Sequence, residues 1–459
     1  MAVQTIFPVT RIHEPLRVDV EVQNGKIVDA WLGSHLFRGM EAMLEGRDPR
    51  DASLFTQRIC GICSSAHAIA AGMAQQQAFD VRPTPTGQHI TNLIFAADII
   101  QNNLRHFYML VLYDYVRGPD MPPYLPRPAA ADYRLPQKVN SELLQHAKEA
   151  VIKGVRAHEA MAVFGAKAPH QQTILPTGTT EQASVERLMA YSSILQELTE
   201  WVENVFISDV MTIAEYYKDY YSIGGGYGNF FSVGMFPAPL TGERAFKSGL
   251  VLSQGQPEAL DINQITEEIQ YSWYKDDVIS RPPAQGRTDP NIDKPEAYSW
   301  IKAPRYKNMP LECGPLARGF INGEYRRGVS VMDRLVARAR ETLKICKLAQ
   351  GFFQEIVPNT PSFQPYTPPE SGTGVGLTDA MRGVLGHWME YKHGKITHYQ
   401  VVTPTTWNFS PRDSRGARGP VEQALIGTPV AEGAGLVEAG RVIRSFDPCF
   451  TCAVHLLEM

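Results

Sequence analysis

The sequence predicts a mainly α fold (α+β), a bundle of long helices with peripheral β-hairpins, on three observations. Residues 86–116, 141–164, 181–221 and 328–356 are long, poor in Pro and Gly, and carry apolar residues at helical spacing. Helices of that length bury their apolar stripes against one another. Residues 16–32 and 388–403 read instead as strand–turn–strand. Lastly, two Cys-x-x-Cys pairs, Cys60-Gly-Ile-Cys63 and Cys449-Phe-Thr-Cys452, stand near opposite ends of the chain, more pairing than six cysteines in 459 residues produce by accident. Cysteines at i and i+3 bring two thiolates to one side of a turn, where both reach the same ion. The N- and C-terminal segments are therefore expected to meet at a buried metal site, within a single domain spanning residues 1–459.

Each element has its local reason. In 16–32 apolar and polar residues alternate on either side of Asn24-Gly25, and both turn residues tolerate the positive φ of a type I′ hairpin. His393-Gly394 marks the bend of the second hairpin. The Pro-rich stretches 119–136 and 358–369 predict extended loops, because Pro excludes helix there. Gly224-Gly225-Gly226-Tyr-Gly228 lacks the Gly-x-Gly-x-x-Gly spacing and a preceding strand, which argues against a phosphate loop.

Composition narrows the function. Hydrophobic residues at 44% and charged residues at 20% are those of an ordinary globular protein. A net charge of −4 gives no handle on nucleic acid or an anionic membrane. No apolar run is long enough to cross a bilayer, so any membrane contact is expected through partner subunits. The first residues lack the basic flank and apolar stretch of a signal peptide, so export would have to be arranged by a partner.

The cysteine pairs keep chemically active company. Arg58 precedes Cys60 and His67 follows Cys63; Asp447-Pro448 precedes Cys449 and His455 follows Cys452. Spacing alone equally allows a structural zinc held by four thiolates, or two redox disulfides. Acidic, basic and imidazole groups beside the thiols are more than an inert site needs.

Arg58-Ile-Cys-Gly-Ile-Cys63 and Asp447-Pro-Cys-Phe-Thr-Cys-Ala-Val-His455 resemble the two nickel-binding signatures of nickel–iron hydrogenase large subunits. The resemblance runs through the chain in family order. It includes Leu36-Phe-Arg-Gly-Met-Glu41, Gly46-Arg-Asp-Pro-Arg-Asp51, Lys167-Ala-Pro-His-Gln-Gln172, Tyr216-Tyr-Lys-Asp219 and Tyr271-Ser-Trp-Tyr274. Lys302-Ala-Pro-Arg-Tyr306, Gly314-Pro-Leu-Ala-Arg318 and Ala424-Leu-Ile-Gly-Thr-Pro429 continue it.

The resemblance implies that Cys60, Cys63, Cys449 and Cys452 hold nickel. Cys63 and Cys452 would also bridge to an iron carrying cyanide and carbon monoxide, with Cys60 and Cys449 as terminal ligands. Soft thiolates suit a redox-active metal. The implied reaction is reversible heterolytic cleavage of H2, most naturally in the uptake direction. Its electrons would leave through iron–sulfur clusters in a small subunit, since only Cys313 and Cys346 remain in this chain. By the same resemblance Arg382 hangs over the metals, Asp447 orients it, Thr405 donates to a cyanide and His67 to a bridging sulfur. Glu41, the carbonyl of Val401 and the imidazole of His455 correspond to magnesium ligands. Location is expected outside the cytoplasm, periplasmic or membrane-associated and exported with the small subunit.

Three departures qualify the match. The family strand Thr-Arg-Ile-Glu-Gly-His carries a proton-accepting glutamate, whereas this chain reads Thr10-Arg-Ile-His13-Glu14-Pro15. The proton gate lies between His13 and Glu14, with Glu14 preferred if Pro15 distorts the strand. Asn102 replaces a common aspartate, and Met381 a proline, which leaves Asp447 as the expected ionic partner of Arg382. Only Leu456–Met459 follow His455, where relatives carry a longer cleaved extension. Hydrogen-sensing relatives, which are cytoplasmic, tend to lack it, so a sensor is the alternative function. A non-catalytic relative, such as the quinone-site subunit of NADH dehydrogenase, is disfavoured by the four intact cysteines.

Overall fold

The computed structural model describes residues 2–121, 132–275, 278–432 and 435–453. The fold is mixed, 43% helix and 20% strand. Two helices lie close to the expected spans, Gln137–Gly165 and Val331–Gln354, whereas the expected 86–116 and 181–221 are regular only over Pro85–Arg105 and over Val185–Trp201 with Ile207–Tyr216. Pro85–Arg105 packs on both Gln137–Gly165 and Val331–Gln354, and Val185–Trp201 packs on the same two. Capping defines their starts. The side chains of Thr84, Ser184 and Ser330 accept hydrogen bonds from the backbone N–H groups of Gly87, Arg187 and Asp333. Two expected helices run on less regularly: Pro85–Arg105 continues into a π turn, His106–Val111, and Val185–Trp201 into another, Val202–Phe206.

The N-terminal hairpin forms as expected, Leu16–Gln23 with Lys26–Ser34, turning at Asn24 (φ 51) and Gly25 (φ 70). Ala2–Ile6 adds a third antiparallel strand. The second hairpin, Gly383–Lys392 with Lys395–Val402, turns at His393 and Gly394.

A mainly helical chain with peripheral hairpins understates this second sheet. Ser371–Ala380 joins it as a third strand, and the sheet lies against the helix Ser64–Phe79. The reason is glycine at alternate positions, all on one strand face. A Cβ on Gly372, Gly374 or Gly376 would fall 2.4, 2.0 and 1.8 Å from the carbonyl oxygens of Ala78, Ala74 and Ala70. Those alanines repeat every fourth residue and share one helix face. Backbone therefore meets backbone, and the helix that starts at Cys63 is clamped to the sheet that leads out of Arg382. The stretch 358–369 is irregular, as its prolines require. Most of 119–136 lies outside the described residues.

Candidate metal centre

Both chain ends are drawn to one buried point. Cys63 caps the helix Ser64–Phe79, and the Ile62 N–H points to Cys60 Sγ at 3.3 Å. At the other end, His13 pairs with Cys449 in a parallel bridge, and the Phe450 N–H donates to the His13 carbonyl at 2.9 Å. The Cys449 N–H donates to Thr405 Oγ1 at 3.1 Å. Cys60 Sγ and Cys449 Sγ thereby approach to 3.3 Å, both fully buried, a separation at which two thiolates reach one ion. Cys63 is buried beside them. Cys452 falls in the last turn of helix, Phe450–Ala453, whose final side chains lie outside the description, as does His455. Among the described residues, no three His, Cys, Asp or Glu side chains suffice to hold an ion by themselves.

Arg38 ties the two ends together, a role the sequence reading did not assign although the residue lies in a quoted motif. Its guanidinium donates to the carbonyls of Arg58 and Ile59 beside the first pair and to that of Thr451 within the second.

Arg382 stands over the thiols. Burial alone would disfavour its charge, but Asp447 and then Cys449, Cys63 and Cys60 outweigh that and hold it well above the ordinary arginine value. Its Nε faces Asp447 Oδ1 at 3.2 Å, and Nη2 donates to Asn102 Oδ1 at 2.6 Å. Asn102 in turn donates to Asp447 Oδ2 at 3.0 Å. The expected Arg382–Asp447 partnership is present, and the amide bridges both ends of it. Neither Nε nor Nη1 of Arg382 has an aligned hydrogen-bond partner among the described residues, although both are buried. Burial works against ionisation of Asp447 too, yet Arg382, His106, Arg338 and His13 together hold its carboxyl well below the usual range.

Of the two N-terminal candidates, only His13 is brought to the cysteines. Among the described residues its buried ring Nε2 has no hydrogen-bond partner, and burial followed by Arg382 pulls its pKa down to about 4. Glu14 is exposed, on a backbone at φ 74. The structure sets His13, rather than the preferred Glu14, beside the cysteines: the positive φ turns the chain at Glu14 without carrying its side chain into the interior.

His67 is fully buried, and burial pulls its pKa down to about 3. Its Nδ1 meets His387 Nε2 at 3.1 Å, and His387 Nδ1 meets the Tyr399 hydroxyl at 2.8 Å. Asp98 accepts from the N–H and hydroxyl of Ser65, and burial raises its pKa to about 6. Neither His387, Tyr399 nor Asp98 carried a motif signal of its own.

Glu41 lies in a second polar cluster. It accepts from the Val401 N–H at 2.9 Å and from the Thr288 hydroxyl. Glu267 is near; burial pushes its pKa up to about 7, Lys302 opposes that and Glu41 reinforces it. Gln400 donates to Glu267 at 2.9 Å. An oxygen-rich buried cluster of this kind suits a hard cation.

A family profile described as nickel-dependent hydrogenase matches residues 38–120, 118–328 and 321–455. The chain belongs to that family, and within it is an enzyme subunit, a hydrogenase large subunit. It is 36% identical to the periplasmic [NiFeSe] hydrogenase large subunit of Desulfomicrobium baculatum, over 99% of this chain and 95% of that one. With the hydrogenase-2 large chain of Escherichia coli it shares 30% identity, over 99% and 97% of the two chains. The Ni-Fe-Se hydrogenase of Desulfovibrio vulgaris Hildenborough in its as-isolated oxidized state superposes with a TM-score of 0.96 at 37% identity, covering 99% of this chain and 100% of that one.

Proposed function

We propose that this chain, acting as one unit, cleaves H2 heterolytically in the uptake direction and passes the electrons to an iron–sulfur small subunit. The observation that carries the reading is the meeting of Cys60 and Cys449 from opposite chain ends beneath Arg382, whose buried Nη1 has no described hydrogen-bond partner. Buried polar nitrogens are normally bonded, so an anionic acceptor at that point fits the donor set. In this reading Cys60, Cys63, Cys449 and Cys452 would hold nickel together with an iron that carries cyanide and carbon monoxide. Such a centre supplies Lewis acidity and electron storage.

The chain's own residues do the rest. Arg382 offers donors to the anionic iron ligands and is oriented by Asp447 and Asn102. Thr405, already accepting from the Cys449 N–H, keeps its own hydroxyl hydrogen for a second ligand. His13 takes the proton from Cys449, because it alone of the N-terminal pair lies beside that residue. Glu41, the Val401 carbonyl and His455 hold magnesium, supported by the surrounding Glu267, Gln400 and Thr288. No helix among the described residues is long and apolar enough to cross a membrane. Together with the periplasmic relative, that supports export with the small subunit.

The test is the infrared spectrum of the chain purified with its partner, alongside nickel and iron analysis. Cyanide and carbonyl stretches with one nickel per chain are expected; zinc in place of nickel, with no such bands, would falsify the reading.

A further inference from the structure

His67, His387 and Tyr399 form a buried line of hydrogen bonds in which His67 alone has an expected role, and His387 and Tyr399 have none. The three residues come from different elements: the helix Ser64–Phe79 and the strands Gly383–Lys392 and Lys395–Val402. All are almost fully buried. The contacts are His67 Nδ1 to His387 Nε2 at 3.1 Å, and His387 Nδ1 to Tyr399 Oη at 2.8 Å. Neither ring is hydrogen-bonded to a carboxylate among the described residues, and two imidazoles in contact cannot both be protonated, since each would then offer only donors.

A hydrogen bond between two neutral imidazoles requires one to donate and the other to accept, so only two proton arrangements exist. In the first, the Tyr399 hydroxyl donates to His387 Nδ1, His387 donates from Nε2 to His67 Nδ1, and His67 carries its proton on Nε2. In the second every proton is reversed. His67 donates from Nδ1, His387 donates from Nδ1 to the phenol oxygen, and the Tyr399 hydroxyl hydrogen must find another acceptor. Among the described residues that hydroxyl has one partner, His387. The second arrangement therefore strands a buried O–H, which is the costlier state. It also leaves the His67 Nε2 lone pair as the group available to anionic sulfur. Both objections vanish in the first arrangement.

We infer that Tyr399 and His387 are positioning residues that lock His67 in the Nε2–H tautomer, so that it donates to, rather than repels, a thiolate of the metal centre. The inference rests on the proposed reading in one respect, that His67 faces a metal-bound sulfur. The register of the sheet supports the lock. His387 pairs with Val401, so the turn-free ladder that presents His387 also places Tyr399 two residues away on the neighbouring strand. On a strand, residues two apart share a face, and the phenol consequently comes up on the His387 side. The clamp of Gly372, Gly374 and Gly376 on the Ser64–Phe79 helix then fixes how far this sheet stands from His67.

Neutron diffraction from crystals of the heterodimer reads the protons directly. Deuterium is expected on Nε2 of both His67 and His387, with both Nδ1 atoms bare; deuterium on His67 Nδ1 overturns the inference. Variants give a second, independent readout. His387→Leu removes the donor to His67, whereas His387→Gln retains an N–H at similar reach. With nickel content unchanged, the carbonyl stretch should move to lower wavenumber in His387→Leu, as the sulfur loses a donor, and return toward the parent position in His387→Gln. Tyr399→Phe should shift it in the same direction, and serves if His387→Leu does not accumulate. Unmoved bands in both His387→Leu and Tyr399→Phe overturn the lock. Absence of nickel and of the bands in the parent protein would instead remove the functional reading, and the neutron result would still decide the tautomer.

Discussion

Arg318 and Arg382 are both buried, and both belong to the same neighbourhood, yet they are treated in opposite ways. Arg318 is saturated. Its Nε and Nη2 grip Glu341 in a two-pronged pair at 2.7 Å each, Nη1 donates to the Ala380 carbonyl at 3.1 Å, and Asp379 stands 3.4 Å away. Arg382, three residues beyond Asp379, leaves two of its three nitrogens without aligned partners among the described residues. Arg318 even donates to the carbonyl of Met381, the residue just before Arg382. The saturated arginine thus fixes the backbone from which the unsaturated one projects. A buried cation satisfied on every side is costly to remove alone, because its anions stay buried, whereas one with open donors can serve a further acceptor.

The largest effect is expected from breaking the saturated member. Arg318→Met leaves Glu341 and Asp379 buried without their cation and should cost about 3–5 kcal/mol of stability, read by denaturant unfolding. Arg382→Met should lose less stability, because Arg338 stays 3.3 Å from the buried Asp447 carboxylate, but its H2 oxidation should fall by about 10²–10³-fold. If the two variants lose stability equally, the contrast is wrong.

His13 and Glu14 sharpen the comparison at the proton-transfer end. His13→Gln should lower H2-driven hydrogen–deuterium exchange by about 10²-fold, the scale of a lost general base. Glu14→Gln, at an exposed position, should change stability by no more than about 0.5 kcal/mol and leave that exchange intact. An inactive Glu14→Gln with an active His13→Gln would return the role to Glu14.

A smaller effect separates structural burial from functional burial once more. Glu422 accepts from the Leu32 and Gly419 N–H groups and the Tyr298 hydroxyl, and burial lifts its pKa to about 7 from an ordinary 4.5. The folded state therefore holds this proton more tightly than the unfolded chain. Its contribution is fully present below pH about 4.5 and is lost as pH rises through about 7. Glu422→Gln, which mimics the protonated form, should flatten that slope by on the order of 1–2 kcal/mol, read by unfolding at a series of pH values. Activity should stay unchanged, because Glu422 lies among the N-terminal hairpin and Tyr298 rather than at the thiols.

Local signals made much of this chain legible before folding. Asn24-Gly25 and His393-Gly394 dictate their hairpins through positive φ, and helical periodicity located two long helices to within a few residues and the starts, but not the breaks, of the other two. The pairs Cys60/Cys63 and Cys449/Cys452 suggested a shared site by spacing alone, and the resemblance supplied Arg382, Asp447, Thr405, His67 and Glu41. What needed the tertiary structure were relations between residues far apart in the chain. Whether His13 or Glu14 meets Cys449 depends on a backbone turn at φ 74 that no periodicity announces. Asn102 became the bridge between Arg382 and Asp447, and Arg38 the staple across the two cysteine pairs, because packing brought separate segments together. The glycines of Ser371–Ala380 show their use only where the alanine face of Ser64–Phe79 lies against them. Sequence encodes each segment's preferences through local sterics and hydrogen bonding. Which buried donor is left open, and which imidazole faces a sulfur, is settled only when those segments close on one another and water is excluded.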